Sequence, residues 1–244
     1  SARQSATSFR EMSRSILMAG GTSGIGSATV NRLLENGDTV FCACRNPDEL
    51  PPEPGVRGIP FDATRPSSIA GLPDRLDGFI YFPGTINLKP FRRLTDEDFL
   101  ADYQINVLGA VNLLRQALPL LLRADQASAI FFSSVAAQSG LPFHSSIAAA
   151  KAAVEGMARS LAAELAPRVR VNAIAPSLTR TPLADPLINT ESKLENSNRR
   201  HPLNRIGDPA EIAHLVHFLL SEGSAFMTGQ VLRPDGGLST LRTS

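Results

Sequence analysis

The sequence predicts a single α/β domain of three layers, a doubly wound parallel sheet between two sets of helices. Three observations predict it. From Ser15 onward short apolar runs alternate with longer helical patterns, as in a parallel sheet joined by crossover helices. A glycine-rich turn separates the first apolar run from the first helical pattern, which is how a doubly wound fold opens. No internal repeat or low-complexity linker interrupts the series, so the 244 residues read as one domain.

Residues 1–14, SARQSATSFREMSR, are polar, rich in Ser and Arg and without periodicity. They read as a flexible arm. Met12 is a candidate natural start, which would make residues 1–11 an artificial leader, and a short native arm fits the sequence equally well. The domain proper is expected over residues 15–244. Its strands are expected at SILMA (15–19), TVFCA (39–43), VRGIPF (56–61), GFIYF (78–82), SAIFF (128–132) and VRVNAIA (169–175). Cys42 and Cys44 stand two apart in the second strand, on one side of it and badly placed for a mutual disulfide, so both are assigned to the core.

Composition narrows the function classes. The chain is 43% hydrophobic and 19% charged, with a formal net charge of +1. A near-neutral balance offers no broad attraction for nucleic acid or an anionic membrane. No apolar run approaches the ~18 residues of a bilayer span, and no secretory signal is visible. The expectation is a cytoplasmic protein with no nucleic-acid or membrane partner and no metal site.

The first chemistry lies in GGTSGIGSATVNRLLENG, where Gly20, Gly24 and Gly26 precede a helix with Ile25, Ala28, Leu33 and Leu34 facing inward and Gly37 closing it. Glycines after a strand let backbone N–H groups approach a pyrophosphate, and the helix dipole favours its charge. The second strand ends CACRN. Arg45 there is a partner for the 2′-phosphate of NADP, where a carboxylate would have favoured NAD; NADP is preferred, with NAD as the alternative. Ser23 stands where a second basic residue would have strengthened that preference. Asp62 either contacts an adenine edge or caps the next helix.

These residues resemble the short-chain dehydrogenases/reductases. The resemblance rests on the G-x-x-x-G-x-G spacing of Gly20 to Gly26, Asp62, Asn106 in DFLADYQINVLGAVNLL, SSVAA at 133–137, Lys151, VRVNAIAP and MTGQVLRPDGG, in order and at the family's spacing from Ser15 to Gly237. It implies a Rossmann-type sheet with a seventh strand near Gln230 to Arg233, a nicotinamide cofactor, and a homotetramer or homodimer. It further implies cofactor contacts from Thr22, Ser23, Ile25, Gly84, Lys151, Pro176 and Thr181.

Carried over residue by residue, Ser134 matches the serine that holds the substrate oxygen, and Asn106 the asparagine that anchors a proton-relay water. Lys151 matches the lysine that grips the nicotinamide ribose and lowers the pKa of the catalytic acid. The acid itself, a tyrosine four residues before the lysine, is missing: the position is Ile147, thirteen after Ser134. Two further departures are Tyr81-Phe82-Pro83-Gly84 where Asn-Asn-Ala-Gly is usual, and Ser177 where glycine commonly follows Pro176. Tyr81, at a strand end, and Tyr103, one turn before Asn106, are not obvious substitutes.

His144 is different. Positions 144, 147 and 151 share one face if the helix reaches back that far. The enoyl-thioester reductases of the same family carry their tyrosine seven residues before the lysine, which is where His144 stands. Imidazole is chemically capable at neutral pH, and the alternative is that His144 merely lines the pocket. Residues 183–202, polar and broken by Pro186, are expected to form a substrate lid, with Arg199 and Arg200 either meeting an anionic substrate or thioester carrier or solvating a face. The resulting expectation is an NADP(H)-dependent reductase or dehydrogenase moving a hydride to or from a carbonyl or activated alkene of a small or acyl-thioester substrate. The alternative is a catalytically silent NADP-binding member that serves as a sensor or a partner in a complex.

Overall fold

The structure, a computed structural model, describes residues 13–65 and 67–242. Residues 1–12, including Met12 and most of the expected arm, lie outside the described residues. Seven parallel strands form one sheet in the order β3-β2-β1-β4-β5-β6-β7: β1 Ser15–Ala19, β2 Thr39–Cys44, β3 Val56–Pro60, β4 Gly78–Tyr81, β5 Ala127–Phe132, β6 Val169–Ile174 and β7 Val231–Leu232. The helices are α1 Gly24–Glu35, α2 Asp96–Tyr103, α3 Gly109–Leu121, α4 Ser145–Leu165, the short α5 Asp185–Ile188, α6 Glu191–Arg199 and α7 Pro209–Leu220.

Strand periodicity sorts the side chains into two cores. Leu17, Phe41, Phe79 and Phe131 face a core shared with α3 and α4. Their neighbours Ile16, Val40, Ile80 and Ile130 face the other, closed by Val30 and Leu33 of α1 and Ile212 and Val216 of α7. Central strands buried on both faces read as continuous apolar runs, which is why they were visible in the sequence. Cys42 and Cys44 are buried free thiols on the second of these faces, as the two-residue spacing requires. The buried positions of α1 are Gly26, Thr29, Val30 and Leu33, so the inward face is turned slightly from the expected one: Ile25 and Leu34 are partly buried against it, and Ala28 is only intermediate.

The chain order reverses beside β1, whose neighbours are β2 and β4. The loops leaving these strands diverge there and open a crevice at the C-terminal edge of the sheet.

Three expectations are corrected. No helix joins β3 to β4 among the described residues of 61–77, so Asp62 does not cap one; its carboxylate closes a turn, accepting from Thr64 N at 2.9 Å and Thr64 Oγ1 at 2.7 Å. The helix read as continuous around Asn106 is broken by a π-helical segment, Gln104–Leu108. Its cause is local. The Gly109 N–H bonds to the Gln104 carbonyl, leaving the Ile105 carbonyl to accept from the Tyr81 hydroxyl at 2.6 Å. A Cβ on Gly109 would lie 2.2 Å from that hydroxyl, so only glycine permits it. Third, the flexible arm gives way before residue 15: Arg14 donates from Nε (2.9 Å) and Nη2 (2.7 Å) to the carboxylate of Asp38.

That pair is enclosed, with Asp38 only 5% exposed. Removing one partner of an enclosed ion pair strands the other charge, whereas exposed pairs contribute little. Asp38→Ala should therefore lower unfolding free energy by about 2 kcal/mol, against less than about 0.5 for Glu35→Ala in the exposed Arg32 pair, measured by urea unfolding.

Candidate active site

Two adjoining cavities open at the C-terminal edge of the sheet. The first, of about 540 Å³, is lined by the turn after β1 (Gly20, Thr22, Ser23, Gly24, Ile25, Gly26), by Arg45 after β2, by Asp62 after β3, by Gly84 after β4 and by Thr181. Gly20 and Gly24 take positive φ of 80° and 55°. A Cβ on Gly26 would come within 2.5 Å of the Gly20 carbonyl oxygen. The turn is therefore open only to glycine, and it brings bare backbone to the mouth of α1. The Ser23 side chain makes no capping bond and no acidic residue stands in the first turn, so the first N–H groups and the dipole are directed at the cavity. These features fit the pyrophosphate of a dinucleotide. The Arg45 side chain makes no hydrogen bond or ion pair among the described residues, though its charge reaches Asp62. Asp62 is held below the usual carboxylate range by the bonds from Thr64. Glu49, not foreseen, also lines this cavity, its carboxylate accepting from Asn46 Nδ2 at 2.8 Å.

The second cavity, about 350 Å³, contains Ser134, His144, Ile147, Lys151 and Pro176. It shares Ile25, Phe82, Gly84, Phe132, Thr181 and Leu183 with the first. Lys151 is buried, and its Nζ donates to the Phe132 carbonyl at the end of β5, 2.8 Å away. Burial pulls its pKa down to about 8, against the opposing pull of the Asp102 carboxylate. Asn106 lies one layer behind the cavity wall, 1% exposed. Its Nδ2 donates to the Asp102 carbonyl (2.7 Å) and Thr85 Oγ1 (3.1 Å), while its Oδ1 has no donor among the described residues. Gly84 is the hinge of this arrangement: a Cβ there would sit 3.0 Å from Lys151 Nζ and 3.1 Å from Asn106 Oδ1.

Known proteins resemble this chain over nearly its whole length. Residues 19–239 match the family model described as enoyl-(acyl carrier protein) reductase. The chain is 33% identical over 240 residues to the 3-oxoacyl-(acyl-carrier-protein) reductase of Thermotoga maritima, covering 91% of this chain and 96% of that one. It is 35% identical to a tropinone reductase homolog of Arabidopsis thaliana, covering 93% and 91%. The aldohexose dehydrogenase of Thermoplasma acidophilum superposes with a TM-score of 0.84 at 26% identity, over 95% of this chain and 97% of that one. The chain belongs to the short-chain dehydrogenase/reductase family.

In this short-chain dehydrogenase/reductase Ser134, His144 and Lys151 line one cavity, and Asn106 lies behind its wall. Ser134 caps a short turn, its Oγ accepting from Ala136 N at 3.2 Å. Helix α4 begins at Ser145, so His144 is its N-cap rather than part of its face. The His144 carbonyl still takes the first helical bond, from Ala148 N at 2.8 Å, and its ring stays on the cavity. His144 Nδ1 lies 2.7 Å from the Pro142 carbonyl, which makes Nδ1 the protonated nitrogen. Ile147 is 4% exposed and forms part of the wall. Neither tyrosine lines either cavity; the buried Tyr81 is pinned under the π-segment, its pKa raised by burial.

Other residues of the site were not singled out in the sequence. Ser133 donates to Glu155 Oε1 at 2.8 Å, a buried contact on α4 that also receives Gln138. Glu155 stands four residues after Lys151, and a charged residue on the apolar side of α4 was the available signal. Ser177 and His201 meet at 2.9 Å in the wall of the second cavity. Ser177 had been noted as unusual, but nothing in the sequence pairs it with a histidine 24 positions on. Residues 183–202 include α5 and α6, where Ala184 and Ile188 cluster with Ile206, and Leu183, Leu187 and Ser197 line the cavity. Among the described residues no group of His, Cys, Asp and Glu could hold a metal ion, and no helix is long and apolar enough to cross a membrane.

The lysine's depressed pKa has a definite sign in stability. Between about pH 8 and 10.5 the folded chain has released the Lys151 proton while the unfolded chain keeps it, so this group makes stability rise with pH across that window. The unfolding free energy of the parent minus that of Lys151→Met should grow from pH 8 to 10.5 and stay flat from pH 6 to 7, measured by denaturant titration.

Proposed function

We propose that this chain is an NADP(H)-dependent oxidoreductase that moves a hydride to or from a carbonyl or activated alkene of a small or acyl-thioester substrate. The observation that carries the reading is the shared wall of the two cavities: a site fitted to a dinucleotide abuts one holding Ser134, His144, Ile147 and Lys151. The cofactor supplies the hydride, or accepts it, when bound. The protein's own groups do the rest. Gly20 to Gly26 and the start of α1 hold the pyrophosphate, Arg45 the 2′-phosphate, and Lys151 the nicotinamide ribose. Thr181, Pro176 and Gly84 shape the nicotinamide side. Ser134 Oγ holds the substrate oxygen. The descriptions of the matching family model and of the Thermotoga relative, both acyl-carrier-protein reductases, support the thioester class.

His144 delivers the proton in place of the absent tyrosine. Its Nδ1–H is spent on Pro142, and Nε2 makes no hydrogen bond among the described residues, so the imidazolium has one N–H for the cavity and can be recharged from solvent. A water held between Lys151 Nζ and Asn106 Oδ1 is the second candidate. The alternative reading, a silent NADP-binding sensor or complex partner, draws on Ile147, which puts an apolar side chain where the family's acid stands. Exposed small residues along α4, Ala149, Ala152 and Gly156, support a homotetramer or homodimer packed through that helix.

Two measurements test this reading. NADPH should bind more tightly than NADH by about tenfold, a preference lost in Arg45→Ala; equal affinities by nucleotide fluorescence would remove Arg45, and Glu49 beside it would then favour the free ribose of NAD. A turnover screen with NADPH against ketones, quinones and enoyl- or ketoacyl-thioesters should find a substrate whose kcat falls on the order of 100-fold in His144→Ala with cofactor affinity unchanged. Parent-rate turnover in that variant transfers the role to the Lys151–Asn106 water. Silence of the parent and of Ile147→Tyr alike, with NADPH still bound, supports the silent binder.

A further inference from the structure

The second cavity is chemically one-sided. Its wall is mostly apolar, with Ile86, Leu88, Leu141, Leu178 and Leu187 among it, and its ionisable side chains are His144, Lys151, Arg200 and His201. There is no carboxylate in the lining. A pocket of that kind disfavours cations, and the Asp102 carboxylate near it sits behind Thr85 and is opposed by Lys151. The two arginines at the end of α6 separate here. Arg199 is spent on the side chain of Asn196 and does not line the cavity. Arg200 lines it and makes no side-chain hydrogen bond or ion pair among the described residues.

A solvated arginine at a cavity mouth would by itself mean little. The wall next to it is what gives it weight. His201 is 4% exposed, and its Nδ1 is 2.7 Å from the Ser197 carbonyl, so Nδ1 carries a proton. Its Nε2 is 2.9 Å from the hydroxyl of Ser177, itself 9% exposed. With Nδ1 protonated, Nε2 of the neutral ring accepts the Ser177 hydroxyl hydrogen; the imidazolium, donating at both nitrogens, frees that hydrogen for an anion in the cavity. Arg200 makes no side-chain hydrogen bond or ion pair of its own among the described residues, and beside it in the lining the Ser177–His201 pair can offer that hydroxyl hydrogen.

We infer that the lid end of this cavity, Arg200 with Ser177 and His201, is an anion subsite, and that the substrate has an apolar body ending in a carboxylate or phosphate group. This rests on the reading of the cavity as the substrate site and narrows it. The apolar body lies along Leu178 and Leu187, the anion meets Arg200, and the reacting carbon lies toward Ser134 at the other end. Arg200 and Ser177 are positioning residues: they fix orientation and take no part in proton or hydride transfer.

The test uses binding, so it does not depend on turnover. With NADP saturating, octanoate, octyl phosphate and the neutral methyl octanoate are titrated by calorimetry. At least one anionic probe should bind on the order of tenfold more tightly than the ester; the better of the two identifies the terminal group. Arg200→Ala should abolish the preference, Arg200→Lys should keep part of it, and Arg199→Ala should leave it whole. Equal affinities for both anions and the ester, or a preference that survives Arg200→Ala, overturns the inference. If the preference holds while no carbonyl compound is turned over, the hydride-transfer reading fails and the subsite stands. Turnover of neutral ketones without any anion preference gives the reverse. For a turned-over keto acid, Arg200→Ala should raise KM about tenfold and leave kcat within about twofold, the mark of uniform binding.

Discussion

The site depends on one buried amine. Lys151 cannot be placed under the cavity floor unless other groups offset the loss of water around its charge. The Phe132 carbonyl does so directly, and the Asp102 carboxylate does so through its field. Each partner fixes a piece of backbone. The carbonyl belongs to the last residue of β5, so α4 must cross the sheet edge at that point. Asp102 belongs to α2, so the π-segment that follows must turn Asn106 toward the same place, where its amide takes the Asp102 carbonyl. The convergence leaves no room for a side chain at residue 84. A lysine, a strand end, a helix register and a glycine are thus a single requirement, and this explains why Gly84 stands even though the three residues before it depart from the family pattern.

This arrangement also shows what a sequence can and cannot disclose. The strands were legible because a sheet covered on both faces leaves continuous apolar runs, and periodicity alone assigns Leu17 and Ile16 to opposite cores. The glycine turn was legible because positive φ and close backbone approach restrict residue choice at single positions. The π-segment was not. It arises from a tyrosine hydroxyl on a strand 24 residues away taking the Ile105 carbonyl, and helical propensity carries no record of that contact. Asp62 was misread as a possible helix cap for the opposite reason: its local signature is the same whether a helix or a bare turn follows. Ser177 and His201 show the limit of motif reading. Each is unremarked chemistry in its own segment, and only the lid's return onto β6 makes them a pair.

The missing acid looks different once the lysine's surroundings are known. In the family pattern a lysine beside a tyrosine lowers the phenol's pKa; here its neighbour on the helix face is Ile147, which can share no charge. Burial dominates at this amine and brings its pKa down to about 8, against the opposing pull of Asp102. An amine whose pKa is brought down to about 8 can exchange protons with a bridging group without a large uphill step. That does not make it the donor. Nζ gives one of its hydrogens to the Phe132 carbonyl and keeps the others for a ribose or a bridging water. His144 has Nε2 available as well, because its anchoring bond is made through the other nitrogen and its ring is partly open to solvent. Under the proposed reading the labour divides between a buried amine that sets the field and an edge imidazole that moves the proton, with Ile147 in the wall of the same cavity.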